Sequence, residues 1–303
     1  MPDLSEFVAF VAEKSGIRKP SLIEKDILIH RILKGIKENF GDSYLFKGGS
    51  CIVKCYFGYY RFSVDLDFTW REQEKWKSLG KRRLRKELVA HAGKFASVLE
   101  SISGETELDF RCDLKNTNYV EFGSGSRMVT FKLWKDGELI KVQVNFVEEL
   151  LFPHENRIAE TLLSGKRLKR DEMAYFQDFL DFYTPFKVAC YSLKEILCEK
   201  IRALLTRQAF KLRDVYDVFM IEKAGMKVEN FREEIMKKIV AAMKFERYRK
   251  SVERSAESIE LESVISDPYE LEIFISKPES EFFSFAKKLE NFLREIATSA
   301  VKL

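Results

Sequence analysis

A chain of 303 residues in which 46% are hydrophobic and 33% charged has material for a sizeable core and length for about two domains. Its net charge of +4 is too mild to mark nucleic-acid binding by itself, so such a role must rest on how the charge is distributed. No apolar run reaches the length of a membrane span, and Met1-Pro2-Asp3-Leu4-Ser5-Glu6 lacks the basic and apolar regions of a signal peptide. Both observations argue against a membrane and for a cytoplasmic protein.

In chain order, helical periodicity covers Leu4 to Lys14 and Ser21 to Phe40, the second with Pro20 at its start. Tyr44 to Lys47 reads as a strand, Ser50 to Phe57 as a helix and Val64 to Trp70 as a second strand. Glu74 to Ser101 is helical with a basic first half, and Glu105 to Asp113, Met128 to Trp134 and Leu139 to Val147 read as strands. Asp136-Gly137 predicts a tight hairpin between the last two, because this pair adopts positive φ readily. From Leu193 the pattern is helical: Leu193 to Arg207, Leu212 to Lys223, Phe231 to Phe245 and Glu279 to Ala297. The expected architecture is α+β, a mixed sheet with flanking helices over residues 1–185 followed by a mainly helical domain over 186–303.

The chemistry concentrates between Phe46 and Phe68. Phe46-Lys47-Gly48-Gly49-Ser50 is a short extended run ending in a turn whose glycines let backbone approach a ligand, and the following helix offers its N–H groups to phosphate. In Arg61-Phe62-Ser63-Val64-Asp65-Leu66-Asp67-Phe68 strand period puts Asp65 and Asp67 on one face and Leu66 and Phe68 on the other. Two adjacent carboxylates repel unless a cation lies between them, and hard oxygen ligands suit Mg²⁺ with a bound triphosphate. Lys47, Arg61, Ser50 and Ser63 complete the expected nucleotide-binding set with Gly48 and Gly49. Against this stand two plain readings: Asp-x-Asp is frequent by chance in a chain with 48 acidic residues, and Arg61 could simply brace the turn through an ion pair.

With these segments stand Glu24-Lys25-Asp26, Glu195-Ile196-Leu197-Cys198-Glu199-Lys200-Ile201-Arg202-Ala203 and Arg213-Asp214-Val215-Tyr216-Asp217. In order and spacing the whole set resembles the AbiEii/AbiGii-type nucleotidyltransferase-like toxins of the DNA polymerase beta nucleotidyltransferase superfamily. The resemblance extends to about Lys223 and implies transfer of a nucleoside monophosphate from NTP to an acceptor, with tRNA or other RNA the leading one. It also implies a toxin with a cognate antitoxin. Lys200 would then neutralise triphosphate charge, with Arg202 as a further nucleotide-binding cation, and Asp214 would accept the proton of the attacking hydroxyl, a role Asp217 could share. Two rivals remain, a protein nucleotidylyltransferase with the same site and a catalytically weakened scaffold that binds RNA or a partner. The second is suggested by Gln143 and Asn145, amides on the strand where the superfamily usually has a third acid; Asp109 and Asp113 are candidate substitutes.

The helix from Leu193 carries Glu195 and Glu199 four residues apart, a repulsive pair that gives it a poor design for stability alone. Two stretches, Lys75 to Lys86 and Lys237 to Arg254, concentrate positive charge, the latter around Phe245 and Tyr248, and are candidates for RNA contact. The five cysteines and three histidines are dispersed. Cys51 and Cys55 can share a helix face, but with no CxxC partner or nearby His their spacing argues for core packing over zinc.

Overall fold

The computed structural model describes residues 2–265 and 267–303. Two compact units compose it, Met1–Glu148 with His154–Cys190 and Glu149–Pro153 with Tyr191–Leu303.

In the first unit, helix α1 (Leu4–Ser15) starts at Asp3, whose carboxylate accepts the Glu6 N–H while Glu6 reaches back to the Asp3 N–H. It stops at Gly16, left-handed with φ 76°. Helix α2 (Pro20–Phe40) follows, then β1 (Tyr44–Lys47), α3 (Gly48–Ile52) running into a π-helical turn (Val53–Phe57), and β2 (Asp65–Trp70). The basic stretch is divided between a short α4 (Glu74–Lys77) and a long α5 (Lys81–Gly104), with Gly80 extended between them. Strands β3 (Val120–Gly123), β4 (Met128–Lys135), β5 (Glu138–Asn145) and β6 (Glu155–Ala159), short helices α6 (Arg170–Tyr175) and α7 (Gln177–Phe182), and strand β7 (Phe186–Cys190) complete the unit.

Among the described residues seven strands form one mixed sheet in the order β3-β4-β5-β2-β1-β7-β6. β2 runs antiparallel to β1 and parallel to β5, and β7 runs parallel to β1. Alternation makes one face apolar: Phe46, Leu66, Phe68, Val142, Val144 and Phe131 are buried there. Phe95 of α5 lies against it, its ring 4.9 Å from Tyr44, 6.2 Å from Phe68 and 5.1 Å from Phe131. Each such fully buried ring contributes about 1.5–3 kcal/mol, which fixes the register and so commits the opposite face to polar side chains.

The second unit is helical: α8 (Leu193–Thr206), α9 (Leu212–Lys223), α10 (Arg232–Met243), α11 (Glu246–Glu257), the one-turn α12 (Glu262–Ile265) and α13 (Pro268–Leu271), and α14 (Ser280–Val301). On α14, Phe282, Phe285, Leu289, Phe292, Leu293 and Ile296 recur at three- and four-residue spacing and are buried. Ser192 caps α8, its hydroxyl accepting the Glu195 N–H.

The α+β reading and the hairpin hold, with Asp136 at φ 50° and Gly137 at φ 82°. The strand expected over Glu105 to Asp113 does not form. Glu107 turns at φ 55° and a turn closes from Asp113 to Asn116, leaving one bridge between Asp109 and Trp134. β3, β6 and β7 were not expected; β6 reads polar through Glu155, Asn156 and Arg157 because it is a sheet edge open to solvent.

Candidate active site

The polar face of the sheet gathers the first motif. Lys47 on β1, Asp67 on β2, Gln143 on β5 and Thr130 on β4 lie in one row across four strands, because each is the register partner of the next. Asp65, Lys141 and Lys132 form the adjoining row. Facing register partners share a face and stand about 5 Å apart, so Gln143 is the immediate neighbour of Asp67 and Lys141 that of Asp65. Lys141 was missed in the sequence. Its alternation with Gln143 was visible, but its position beside Asp65 depends on the parallel pairing of β2 with β5, which no local pattern reveals.

The Gly-Gly turn is pressed against the acids. Gly48 has φ 76°, and a Cβ there would collide with the Asp67 carboxylate and stand 3.2 Å from its Cβ and Cγ. At Gly49 a Cβ would fall 2.5 Å from Arg61 Nη2 and 3.1 Å from Ser63 Oγ. Gly48, Gly49, Arg61, Ser63 and Asp67 are therefore neighbours, although Asp67 and Gly48 are separated in the chain by a helix and a loop. Arg61 is buried and donates Nη1 to the Phe62 carbonyl at 2.8 Å, which braces the loop ahead of β2. The buried Ser50 hydroxyl donates to the Asp65 carbonyl oxygen. It tethers α3 to β2, so in this conformation Ser50 offers a ligand its backbone and not its hydroxyl.

The Asp65 carboxylate has no hydrogen bond or ion pair among the described residues, and both it and Asp67 are half-buried. Two hard oxygen donors on one strand face fit a divalent cation. The proposed substitutes for a third acid are engaged elsewhere. Asp109 accepts from the Tyr119 hydroxyl at 2.9 Å and bridges Trp134 on the far side of β4 from β2, while Asp113 caps the Lys115 N–H. Asn145, in register with Thr69, donates Nδ2 to Glu148 at 3.3 Å.

Glu24-Lys25-Asp26 serves the architecture. Lys135 lies 3.7 Å from Glu24 and Lys25 binds Glu138 at 2.6 Å. Asp26 is buried, with Lys54 Nζ at 2.7 Å and the hydroxyls of Tyr59 and Tyr183 donating to it at 2.9 and 2.7 Å. Burial beside the Asp26 charge pushes both tyrosine hydroxyls far up. His30 Nε2 meets the Thr184 carbonyl, and burial holds this histidine well below its ordinary pKa.

The second motif lies in the helical unit. Lys200 Nζ sits 2.6 Å from Asp214 Oδ1 and 2.6 Å from Asp217 Oδ2, and Arg207 also binds Asp214. The four charges balance. Burial would raise the Asp214 pKa, but Lys200 and Arg207 outweigh it and leave the carboxyl below its ordinary value. Glu195 accepts the N–H groups of Leu151 and Phe152, each at 2.8 Å. Lys238 of α10 is 2.6 Å from Glu195 and 3.2 Å from Glu199, and Arg202 is 3.0 Å from Glu199. The repulsion expected between Glu195 and Glu199 is thus relieved by Lys238, a cation nearly forty positions downstream, and α8 is not poorly designed for stability.

Of the basic stretches, Lys81, Arg82, Arg83, Arg85 and Lys86 on α5 are exposed and have no ion pair among the described residues. In the other stretch Lys250 pairs with Glu246 at 2.8 Å and Arg249 with Glu253 at 3.7 Å, while Lys237, Lys244 and Arg247 are exposed and have no ion pair among the described residues. Among the described residues no helix is long and apolar enough to cross a membrane.

The sequence model of a family described as nucleotidyl transferase AbiEii toxin, type IV toxin–antitoxin system, matches residues 31–298. No curated protein matches the chain. The chain belongs to the AbiEii family of nucleotidyltransferase toxins. The match reaches well beyond Lys223, where the motifs stop, and begins after Glu24-Lys25-Asp26.

Proposed function

We propose that this AbiEii-family nucleotidyltransferase moves a nucleoside monophosphate from NTP to an RNA acceptor, tRNA being the leading one, and releases pyrophosphate. The observation that supports this reading is the closeness of the Gly48-Gly49 turn to Asp67: backbone that could receive phosphate lies against a carboxylate of the Asp65–Asp67 face. Asp65 and Asp67 would hold Mg²⁺, which supplies charge neutralisation at the triphosphate. Gly48, Gly49 and the Ser50 backbone cradle the phosphates, with Lys47, Arg61 and Ser63 behind them. Lys200 and Arg202 contribute positive charge and Asp214 receives the acceptor's proton. Because Lys200 and Arg207 hold Asp214 ionised, the carboxylate is available as an acceptor but a weak base, and its share of the rate is at the low end of general-base effects, about 10²-fold.

The uncompensated cations on α5 are the surface that supports an RNA acceptor, since clustered unpaired charge favours phosphate binding through counterion release. A cytoplasmic toxin of this kind is expected to have a cognate antitoxin as its partner. The test is incubation with each labelled NTP and total cellular RNA or protein. Label in a nuclease-sensitive pool supports the reading; label that survives nuclease and yields to protease identifies a protein acceptor; no label or pyrophosphate with any NTP and any extract leaves a binding scaffold.

A further inference from the structure

Behind the Gly-Gly-Ser turn the fold assembles three thiols that the sequence disperses. Cys51 lies in α3, Cys55 one turn on in the π-helical segment, and Cys190 ends β7, its Cα in register with Phe46 of β1. The three sulfur atoms lie within 4.8 Å of one another. Cys51 and Cys190 are fully buried and Cys55 half-buried, which leaves one side for entry. Cys112 and Cys198 belong to other parts of the chain. Core packing, the reading from spacing alone, places single thiols among apolar neighbours; it gives no reason for three to converge.

We infer that Cys51, Cys55 and Cys190 form a binding site for one soft, thiophilic cation in three-sulfur coordination, Cu(I) being the physiological ion of that class. Metal–sulfur bonds of about 2.3 Å in a trigonal plane put the sulfurs about 4 Å apart, so the observed spacing needs little closing. Among the described residues no fourth His, Cys, Asp or Glu joins the cluster, whereas structural zinc sites are four-coordinate. Hard cations are excluded by the absence of oxygen donors in the set. The Tyr56 hydroxyl, which donates to Glu155 at 3.3 Å, is 3.7 Å from Cys190 Sγ, and the Arg157 guanidinium over the Tyr56 ring is paired with Glu155 at 2.7 Å, so polar groups whose charges balance stand beside the sulfurs. Cys51 is two residues beyond Gly49, so an ion there would stiffen the turn from its inner side.

The experiment loads the reduced full-length protein with Cu(I) without oxygen, in the presence of a competing Cu(I) chelator, and measures retained copper by elemental analysis and its ligands by X-ray absorption. One copper per chain with three sulfur ligands is expected. Cys51→Ser, Cys55→Ser and Cys190→Ser should each weaken retention at least about tenfold, and Cys198→Ser should leave it unchanged. Copper lost to the chelator, fewer than three sulfur ligands on the wild-type protein, zinc retained in preference with four ligands, or equal loss in Cys198→Ser overturns the site. The wild-type stoichiometry and sulfur count decide the matter even if the Cys190 variant does not fold.

Discussion

Replacing Gly48 by alanine tests the closest approach in the candidate site. Gly48 and Gly16 share φ 76°, but a Cβ at Gly16 meets nothing within 4 Å, whereas at Gly48 it meets the Asp67 carboxylate. An alanine in the left-handed region costs about 1–2 kcal/mol, partly offset by about 0.4–1 kcal/mol from a less flexible unfolded chain. Gly16→Ala should therefore destabilise by about 1 kcal/mol. Gly48→Ala carries the same backbone term plus about 1–3 kcal/mol of overpacking, about 2–4 kcal/mol together. Urea unfolding of both variants isolates the difference, and adding Asp67→Ala to Gly48→Ala should recover a coupling of about 1–3 kcal/mol because the colliding carboxylate is gone. Nucleotidyl transfer by Gly48→Ala should fall further than its stability explains, since Asp67 must move. Equal stability losses at Gly16 and Gly48, together with undiminished transfer, would refute the proposed contact.

Asp65→Asn and Asp67→Asn should each abolish transfer while leaving thermal unfolding unchanged or slightly raised without Mg²⁺, because a repulsive pair is relieved; full activity in both, in a radiolabel assay, ends the metal-pair reading. Gln143→Glu, in register with Asp67, should shift the Mg²⁺ dependence of transfer, since it adds a hard ligand beside the pair; an identical Mg²⁺ titration excludes this position from the site. Asp214 has a folded pKa below its ordinary 3.8, so its contribution is complete above about 3.8 and is lost as pH falls through the folded value. Asp214→Asn should accordingly flatten the decline in stability below about pH 4, measured by urea unfolding, and slow transfer about 10²-fold with NTP binding nearly unchanged; a decline identical to wild type shows that the Lys200–Arg207 field does not act on it.

The sheet's centre was legible because β2, β4 and β5 alternate and β1 is a short, mainly apolar run buried throughout, and the Asp65–Asp67 face follows from period alone. Residues whose roles come from pairing were not. Lys141 and Asp65 are neighbours only because β2 and β5 run parallel, and Lys238 answers Glu195 and Glu199 only because α10 packs on α8. Edge strand β6 lacks alternation because solvent reaches it, and Glu105 to Asp113 has the composition of a strand but turns at Glu107. Lys200 and Asp214 stand out through the family resemblance, yet the balance of their charge depends on Asp217 and Arg207, which only the fold brings beside them.

The buried Asp26–Lys54 pair bears on where the protein can be shortened. The family match begins at residue 31, an inviting place to start an expressed fragment, yet a chain without Asp26 deprives Lys54 of its counter-ion and the Tyr183 hydroxyl of its acceptor, and leaves Tyr59 the Glu160 carbonyl. Breaking one side of a buried ion pair costs about 3–5 kcal/mol, a large part of the stability of an ordinary domain. The smallest fragment that folds must therefore include the first turns of α2, and residues ahead of the recognisable family region belong to the first unit as fully as those within it.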